Sequence, residues 1–252
     1  SMINYGLDGK VALATGAGSG IGRAAALAFA RSGAAVLVSD VNDAGGVETV
    51  AMIAAQGGKA RYQHCDVSDG AQVKAMVAAA TAAFGRLDCA FNNAGINVLG
   101  ADEYEDDNWS RSIGVNLTGV MMCMREQAEV MLAQSGGAIV NTASINGLVG
   151  QPAQPAYTAT KHGVVGLTRH AALRWAKSGI RVNAVCPGVI ETGMTAPLMA
   201  NPEIKKVMDA MTPMGRMGRA EEIAEAVVWL CSDAASFVTG HPMVIDGGAL
   251  AI

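Results

Sequence analysis

The stretch Thr15-Gly16-Ala17-Gly18-Ser19-Gly20-Ile21-Gly22 decides the fold, because it joins a short apolar segment to a helix-forming one. The segment Val11–Thr15 has the composition of a strand, and Ile21–Arg31 has that of a helix. Glycines at such a junction let the backbone turn sharply and approach a pyrophosphate, which the free N–H groups at the helix start would bind. The spacing differs from G-x-G-x-x-G, and no Lys-Ser/Thr pair follows, which excludes a Walker A loop. Taken alone, the motif also fits a glycine-rich turn that binds no ligand.

The rest of the chain alternates short apolar runs with longer helical stretches. The other predicted strands are Ala35–Ser39, Ala60–His64, Cys89–Asn92, Ala138–Thr142, Arg181–Cys186 and Met243–Ile245. The other predicted helices are Ala44–Ala55, Ala71–Phe84, Asp106–Ala133, Ala156–Lys177 and Glu221–Cys231. Continuously apolar strands in this order predict an α/β fold, a doubly wound Rossmann-type parallel sheet of about seven strands with helices on both faces. Residues 1–252 are expected to form one domain, with its site at the carboxyl ends of the strands.

The composition argues against several classes of protein. Charged residues make up 16% of the 252 residues, apolar residues make up 51%, and the formal net charge is -4. A mildly acidic balance disfavours binding to nucleic acid or to a membrane surface, and no apolar run is long enough for a membrane span. So little charge predicts a large core or a buried subunit interface.

The five cysteines and four histidines show no metal-ligand spacing, so no metal site is predicted. We interpret the cysteines as buried free thiols of a reducing compartment. The segment Ser1–Lys10 lacks the basic start and apolar stretch of a secretion signal. A cytoplasmic location is therefore expected.

One long irregular stretch, residues 187–219, contains four prolines and six methionines. A long insertion at the carboxyl edge of a sheet is usually functional, so we expect a substrate lid. The alternative is a mobile surface loop.

Asp40 ends the second predicted strand, eighteen residues after Gly22. An acidic residue about 20 positions beyond a glycine loop can bind the ribose hydroxyls of NAD and repel the 2′-phosphate of NADP. Neither Val41 and Asn42 nor Ser19 supplies a cation, so NAD is predicted in preference to NADP. The alternative is that Asp40 only caps the turn before the next helix.

Tyr157 and Lys161 are four residues apart on a predicted helix and therefore share one face. A free tyrosine has a pKa near ~10, and a neighbouring ammonium would lower that pKa toward neutrality. Such pairs occur by chance on many helices, but this one follows Ser144 by thirteen residues. Asn116 adds a polar group within the uncharged run Ile113–Met124.

Together these motifs resemble the short-chain dehydrogenase/reductase family over nearly the whole chain, about Asp8 to Ile252. The resemblance rests on the glycine motif, Asp66-Val67, Asn92-Asn93-Ala94-Gly95, Asn116, Ser144, Tyr157-x-x-x-Lys161 and Pro187-Gly188. It also includes Ser232–Gly240 and Asp246-Gly247-Gly248 near the chain end. The overall pattern looks closer to NAD-dependent alcohol and cyclic-diol dehydrogenases than to other members.

The resemblance implies a role for each matching position. Tyr157 would be the general acid/base, Lys161 would lower its pKa and bind the nicotinamide ribose, Ser144 would orient the substrate oxygen, and Asn116 would hold a proton-relay water. The implied cofactor contacts are Gly16, Ser19, Gly20, Ile21, Gly22, Asp40, Val41, Asp66, Val67, Asn93, Ala94, Gly95, Tyr157, Lys161, Pro187, Gly188, Val189, Ile190 and Thr192. Among these, Thr192 would bind the nicotinamide carboxamide.

The substrate pocket is expected to combine neutral polar and apolar side chains. Its predicted members are Ser144, Ile145, Asn146, Val149, Gln151, Gln154, Tyr157 and, from the lid, Met194, Leu198, Met199, Met208 and Met211. This lining suits a small neutral alcohol or ketone. The lid methionines also fit ordinary helix packing.

Two alternatives in function stay open. One is a 3-oxoacyl-acyl-carrier-protein reductase, which would usually carry basic residues near the end of the long helix, where Ala133–Ala138 has no charge. The other is a cofactor-binding protein with little activity, which would not need a Tyr–Lys pair.

The apolar helices also predict assembly. Ile113–Met124 has no charge, Thr158–Thr168 has only Lys161, and Phe237–Ile252 has only Asp246. Helices that cover a sheet normally show a charged outer stripe, so we expect a homotetramer that buries these surfaces. The alternative is that a lid or the termini cover them within one subunit.

Overall fold

A computed structural model describes residues 3–97, 104–152, 154–193, 195 and 200–251. Its strands are β1 (Val11–Thr15), β2 (Ala35–Asp40), β3 (Ala60–His64), β4 (Cys89–Asn92), β5 (Gly137–Thr142), β6 (Ile180–Pro187), β7 (Ile190–Glu191), β8 (Gly218–Arg219) and β9 (Pro242–Ile245). Its helices are α1 (Gly20–Arg31), α2 (Asp43–Ala55), α3 (Gly70–Phe84), α4 (Asp106–Ile113), α5 (Val120–Ala133), α6 (Pro155–Trp175), α7 (Pro202–Ala210) and α8 (Ala220–Cys231).

Seven strands form one parallel sheet in the order β3-β2-β1-β4-β5-β6-β9. The strand order reverses between β1 and β4, which leaves a crevice at their carboxyl ends. One apolar core packs α1, α2 and α8 on one face of the sheet, and a second packs α3, α5 and α6 on the other. The predicted doubly wound α/β fold is confirmed, and every predicted strand and helix other than the helix Asp106–Ala133 is present within a few residues of its expected bounds.

The prediction of continuously apolar strands is wrong for β3, which has the sequence Ala-Arg-Tyr-Gln-His. None of its residues is fully buried, because it is the edge strand of the sheet. An edge strand has one flank open to water, and polar side chains there protect it from pairing with other chains.

The predicted helix Asp106–Ala133 is interrupted. A π-helical stretch, Gly114–Gly119, separates α4 from α5 and carries Asn116. Single π-helical turns within α-helices are rare and are frequent at functional sites, and hydrophobic periodicity alone does not reveal them.

The described part of residues 187–219 is more regular than predicted. Strands β7 and β8 pair in parallel, and α7 begins after Asn201, whose side chain accepts a hydrogen bond from the N–H of Glu203 at 3.0 Å. Asn followed by Pro is a helix-start signal, so the sequence contained this information.

Candidate functional site

The glycine loop is packed too tightly for side chains at two of its positions. A Cβ at Gly22 would lie 2.1 Å from the carbonyl oxygen of Gly16, and a Cβ at Gly16 would lie 2.9 Å from the backbone of Ala94. Gly16 also has φ +61°, a conformation that L side chains rarely adopt. Ser19 makes no side-chain cap to α1, and the first turn of α1 has no acidic residue. The N–H groups in the first turn of α1 are therefore suited to binding an anion at the carboxyl edge of the sheet.

Asn93 ties three strand ends together around this loop. Its Nδ2 donates to the carbonyl oxygens of Thr15 at 3.2 Å and Gly16 at 3.3 Å, and its Oδ1 accepts from Thr142 Oγ1 at 3.2 Å. The Thr15 hydroxyl oxygen accepts the N–H groups of both Asn93 and Ala94. Asn93, a predicted cofactor contact, therefore also supports the glycine loop through its side chain.

Asp40 lies at the end of β2 with both carboxylate oxygens in use. Oδ2 accepts the N–H of Gly18 and Oδ1 accepts the N–H of Asn42, each at 2.8 Å. The turn role considered from the sequence is therefore real, and the same carboxylate also holds the glycine loop. Val41 beside it is 59% exposed.

Asp66, after β3, accepts hydrogen bonds from Ser68, and Val67 packs against Gly119.

A cation does lie near the loop, although Val41, Asn42 and Ser19 supply none. Arg23, the residue after the glycine motif, donates from Nη2 to the carbonyl oxygens of Gly18 and Gly45. The same guanidinium pairs with Glu48 at 2.5 Å. The sequence argument considered only the loop and the end of β2, whereas the first turn of α1 supplies the charge.

Ser144, Tyr157 and Lys161 meet at the carboxyl edge of β5. Ser144 begins a short 3₁₀ helix, Ile145–Gly147, and shares a hydrogen bond with the Tyr157 phenol. Lys161 is one turn further along α6, with Nζ 5.3 Å from the centre of the Tyr157 ring. This ammonium donates to the carbonyl oxygen of Thr142 at 2.8 Å. The three side chains predicted as catalytic on this edge are thus brought together.

The expected lowering of the Tyr157 pKa by Lys161 is wrong for the chain by itself. Burial raises the pKa of Tyr157, and only the hydrogen bond from Ser144 acts to lower it. Burial also lowers the pKa of Lys161, to about 8. Spacing on a helix predicts proximity, but it does not show how much water the fold removes from the pair.

Asn116 is fully buried in the π-helical stretch, and its side chain makes two hydrogen bonds to the segment after β4. Its Oδ1 accepts the N–H of Ile96 and its Nδ2 donates to the carbonyl oxygen of Ile96, both at 2.8 Å. A Cβ at Gly95 would lie 3.2 Å from Asn116 Oδ1 and 3.8 Å from Lys161 Nζ. Asn116, Gly95 and Lys161 therefore form one continuous side of the site.

The segment after β6 forms another side of the site. The N–H of Gly188 donates to the carbonyl oxygen of Ile245 at 3.0 Å, which anchors the residues that follow it to β9. Thr192 then reaches the glycine loop, where a Cβ at Gly20 would be in ordinary contact with it at 3.4 Å. The predicted contacts Pro187, Val189, Ile190 and Thr192 thus lead from the sheet edge to the loop.

The predicted substrate residues are only partly described. Asn146 Nδ2 donates to Gln154 Oε1 at 3.2 Å, and the N–H of Asn146 donates to Ser144 Oγ at 3.2 Å. Asn146 therefore links Gln154 to Ser144, and all three side chains are neutral. Met194, Leu198 and Met199 lie outside the described residues, whereas Met208 lies on α7 and Met211 directly follows it, 55% exposed.

Comparison with known proteins identifies the family of this chain. The family model described as Enoyl-(Acyl carrier protein) reductase matches residues 16–249. This chain belongs to the short-chain dehydrogenase/reductase family. Membership makes it an oxidoreductase of alcohol donors that uses a nicotinamide cofactor.

Individual short-chain dehydrogenases resemble the whole chain. It is 46% identical over 250 residues to a 2,5-dichloro-2,5-cyclohexadiene-1,4-diol dehydrogenase from Sphingobium indicum, covering 98% of this chain and 99% of the relative. It is 47% identical over 242 residues to a cyclohexanol dehydrogenase from an Acinetobacter species, covering 95% and 94%. A solved structure from Agrobacterium tumefaciens, provisionally named a 2-deoxy-d-gluconate 3-dehydrogenase and holding NADP, matches with a TM-score of 0.91, 38% identity and 99% coverage of both chains.

Two further searches concern the described residues only. Among them, no group of three or more His, Cys, Asp or Glu side chains is placed to hold a metal ion. None of the helices in this part of the chain is both long and apolar enough to cross a membrane.

Sequence reasoning missed two residues that organise the site. Thr49, on α2, donates its hydroxyl to the carbonyl oxygen of Ala17, and Arg23 joins it. A threonine within a helix carries no motif, so only the packing of α2 against the loop reveals this contact.

Proposed function

We propose that this protein is an NAD-dependent dehydrogenase that interconverts a secondary alcohol and a ketone, with Tyr157 as general acid/base. The observation that carries the proposal is the group of Ser144, Tyr157 and Lys161 at the carboxyl edge of the sheet, in which Ser144 and Lys161 are buried. A proton donor, a hydroxyl partner and a buried ammonium meet there within reach of one substrate oxygen.

The described residues fit a dinucleotide. The uncapped first turn of α1 offers N–H groups for a pyrophosphate, and Asp40 offers a carboxylate for ribose hydroxyls. The buried Lys161 lies at the carboxyl end of β5, and Thr192 contacts the glycine loop at Gly20. When bound, the nicotinamide supplies the hydride acceptor or donor.

The chain supplies the proton and the orientation. In alcohol oxidation Tyr157 takes the hydroxyl proton of the substrate, and in ketone reduction its phenol returns that proton. Ser144 donates a hydrogen bond to the same substrate oxygen and fixes it beside the phenol. Because burial raises the pKa of Tyr157, the phenol favours its protonated form, which suits the reduction. Lys161 places a positive charge beside the Tyr157 ring. Asn116 lies on the same side of the site, where it would support proton transfer toward water.

Asp40 supports NAD over NADP. Its carboxylate stands beside the loop, and the guanidinium that contacts the loop, Arg23, is paired with Glu48. A 2′-phosphate would meet a carboxylate there rather than a free cation. The relative from Agrobacterium holds NADP, so the preference is tested with both cofactors below.

The substrate that this site suits best is a small neutral cyclic or aliphatic alcohol. The described lining near Ser144 is neutral, with Asn146 and Gln154 as its polar members. Relatives at 46% and 47% identity are named for a cyclic diol and for cyclohexanol. The family model carries an acyl-carrier-protein name, but the end of α5 offers no basic residues for such a carrier between Ala133 and Ala138.

Three organisational proposals accompany this function. Residues 187–219 act as the substrate lid, supported by α7 and the β7–β8 pair beside Thr192. The cytoplasm is the proposed compartment because all five cysteines are free and buried. Finally, we propose a homotetramer.

The tetramer proposal rests on two apolar surfaces. A groove of about 440 Å³ between α5 and α6 is lined by Leu117, Met121, Gly163, Gly166 and Leu167, among others. The second surface lies near the end of the chain, where Phe237 is fully exposed and Val244 on the edge strand β9 is 40% exposed. Two such surfaces used isologously generate a tetramer with two-fold axes.

The experiment that tests the proposed function is a screen of secondary alcohols, followed by the absorbance of reduced nicotinamide, with NAD and NADP in parallel. Turnover of cyclic alcohols with NAD supports the proposal. Cofactor binding without turnover of any alcohol or ketone would support the low-activity alternative, and activity only on acyl-carrier substrates would support the reductase alternative.

A further inference from the structure

We propose that Thr49 and Arg23 are positioning residues for the cofactor. From behind the glycine loop they hold the carbonyl oxygens of Ala17 and Gly18, and so keep the N–H of Gly18 on Asp40 and the N–H of Ser19 directed toward the pyrophosphate. This inference rests on the proposed function, because it assumes that a dinucleotide binds at the loop.

Thr49 is fully buried on α2, and its hydroxyl has an unusual partner. A threonine within a helix often donates to the carbonyl four residues earlier. Here that carbonyl, of Gly45, is 3.0 Å away, and the carbonyl oxygen of Ala17 is closer at 2.8 Å. The hydroxyl oxygen also accepts from Arg23 Nε at 3.0 Å. Thr49 therefore links α2, the loop and α1 through one atom.

Arg23 holds the next carbonyl. Its Nη2 donates to the oxygen of Gly18 and, at 3.3 Å, to that of Gly45. The guanidinium is rigid and planar, so its bond to Thr49 and its bonds to the two carbonyls fix one orientation. Gly45 lets α2 come this close, because a Cβ there would lie 2.7 Å from the Gly18 oxygen.

Fixing a carbonyl also fixes the N–H on the other side of the same peptide. A trans peptide is planar, with its C=O and N–H pointing in opposite directions. The held oxygen of Ala17 directs the N–H of Gly18 toward Asp40, which accepts it at 2.8 Å. The held oxygen of Gly18 directs the N–H of Ser19 away from Arg23, toward the open end of α1. The loop is thus set in its binding geometry before a ligand arrives, which lowers the ordering cost of binding.

The test uses Thr49→Val, Thr49→Ser and Arg23→Met in the full chain. The dissociation constants of NADH and NADPH are measured by nicotinamide fluorescence, without substrate, and KM and kcat are measured with a good alcohol. We expect Thr49→Val and Arg23→Met to raise both dissociation constants about tenfold, the size of one lost hydrogen bond to a constrained or charged partner. Turnover at saturating cofactor should stay near that of wild type, and Thr49→Ser should bind like wild type.

Thr168→Val is the matched control. Thr168 is also a fully buried helical threonine, and its hydroxyl accepts from Asn141 Nδ2 at 3.0 Å, on β5 rather than on the glycine loop. This variant should lose stability without a change in NADH binding. If Thr49→Val does not fold, Arg23→Met carries the test, because the Arg23 side chain is 23% exposed.

Three results would overturn the inference. Wild-type NADH binding in both Thr49→Val and Arg23→Met would show that the contacts are merely structural. A change in the ratio of NADH to NADPH affinity would place the effect at the ribose, since the pyrophosphate is common to both. A wild-type chain that binds neither dinucleotide would remove the proposed function itself, an outcome distinct from the first two.

Discussion

The carboxylate of Asp40 accepts a hydrogen bond from the backbone N–H of Gly18, with 2.8 Å between Oδ2 and the nitrogen. The residue proposed to choose between cofactors is therefore also part of the loop that binds them. A substitution at position 40 changes a charge and a loop support together, and two variants are needed to separate the effects.

Asp40→Asn removes the charge but keeps an acceptor for Gly18, whereas Asp40→Ala removes both. We expect both variants to raise the ratio of kcat/KM for NADP to that for NAD, because the carboxylate no longer repels a 2′-phosphate. Only Asp40→Ala should also weaken binding of both cofactors. A wild type that prefers NADP, or an asparagine variant with unchanged preference, contradicts the role of the charge.

Tyr157→Phe keeps the ring and removes the transferable proton. General acid–base catalysis typically contributes about 10²–10⁴-fold to a rate, so kcat should fall by that order. NADH binding, measured by fluorescence, should remain close to wild type because the loop and Lys161 are untouched. Turnover near wild type on a good substrate would show that another group moves the proton.

Lys161→Met tests the buried ammonium through the pH dependence of stability. The Lys161 pKa is about 8 in the folded chain, against an ordinary 10.5, so the unfolded state binds more protons between these values. Below pH 8 the buried charge destabilises the fold, and this cost is lost as pH rises toward 10.5. Relative to the methionine variant, the wild-type free energy of unfolding should therefore rise with pH, by up to about 3 kcal/mol.

Urea unfolding of both proteins at several pH values between about 7.5 and about 10.5 measures this difference. The other titrating groups are shared and cancel when the two curves are subtracted. Parallel curves would mean that Lys161 keeps an ordinary pKa in the folded chain.

Gly166→Leu tests the proposed tetramer. A Cβ at Gly166 meets nothing within 4 Å, so the chain alone accommodates a side chain there, inside the groove between α5 and α6. We expect the variant to fold, because glycine is a poor helix former and its replacement raises the helix propensity of α6. Light scattering at low micromolar concentration should show dimers in place of wild-type tetramers.

Ala51→Leu, on the exposed side of α2, is the control for added apolar bulk. It should leave the assembly unchanged. A wild-type chain that is a stable, active monomer would refute the argument from the uncharged helices, and tetramers of Gly166→Leu would move the interface away from this groove.

The fold could be predicted from the sequence because its signals are local and agree with one another. The apolar runs marked the strands, and the glycine motif marked the first βα junction. The errors came from effects beyond the local pattern. Sheet position made β3 polar, and a π-helical turn around Asn116 interrupted a helix that periodicity alone predicted as continuous.

The site was predictable where residues lie close in sequence. Ser144, Tyr157 and Lys161 were found by their spacing, and the structure places them together. Arg23 and Thr49 were missed because their importance depends on how α2 packs against the loop. The direction of the Tyr157 pKa was wrong because burial is a property of the whole fold and not of a helix face.

The two small residues Gly45 and Gly46 limit how this enzyme can be redesigned. A side chain at Gly45 would collide with the Gly18 oxygen, and one at Gly46 would lie 2.0 Å from the Tyr62 ring. Grafting the β2–α2 connection of an NADP-preferring enzyme would therefore fail wherever the donor has bulk at either position. A successful cofactor swap in this scaffold must keep both glycines, or replace Tyr62 and the glycine loop as one block.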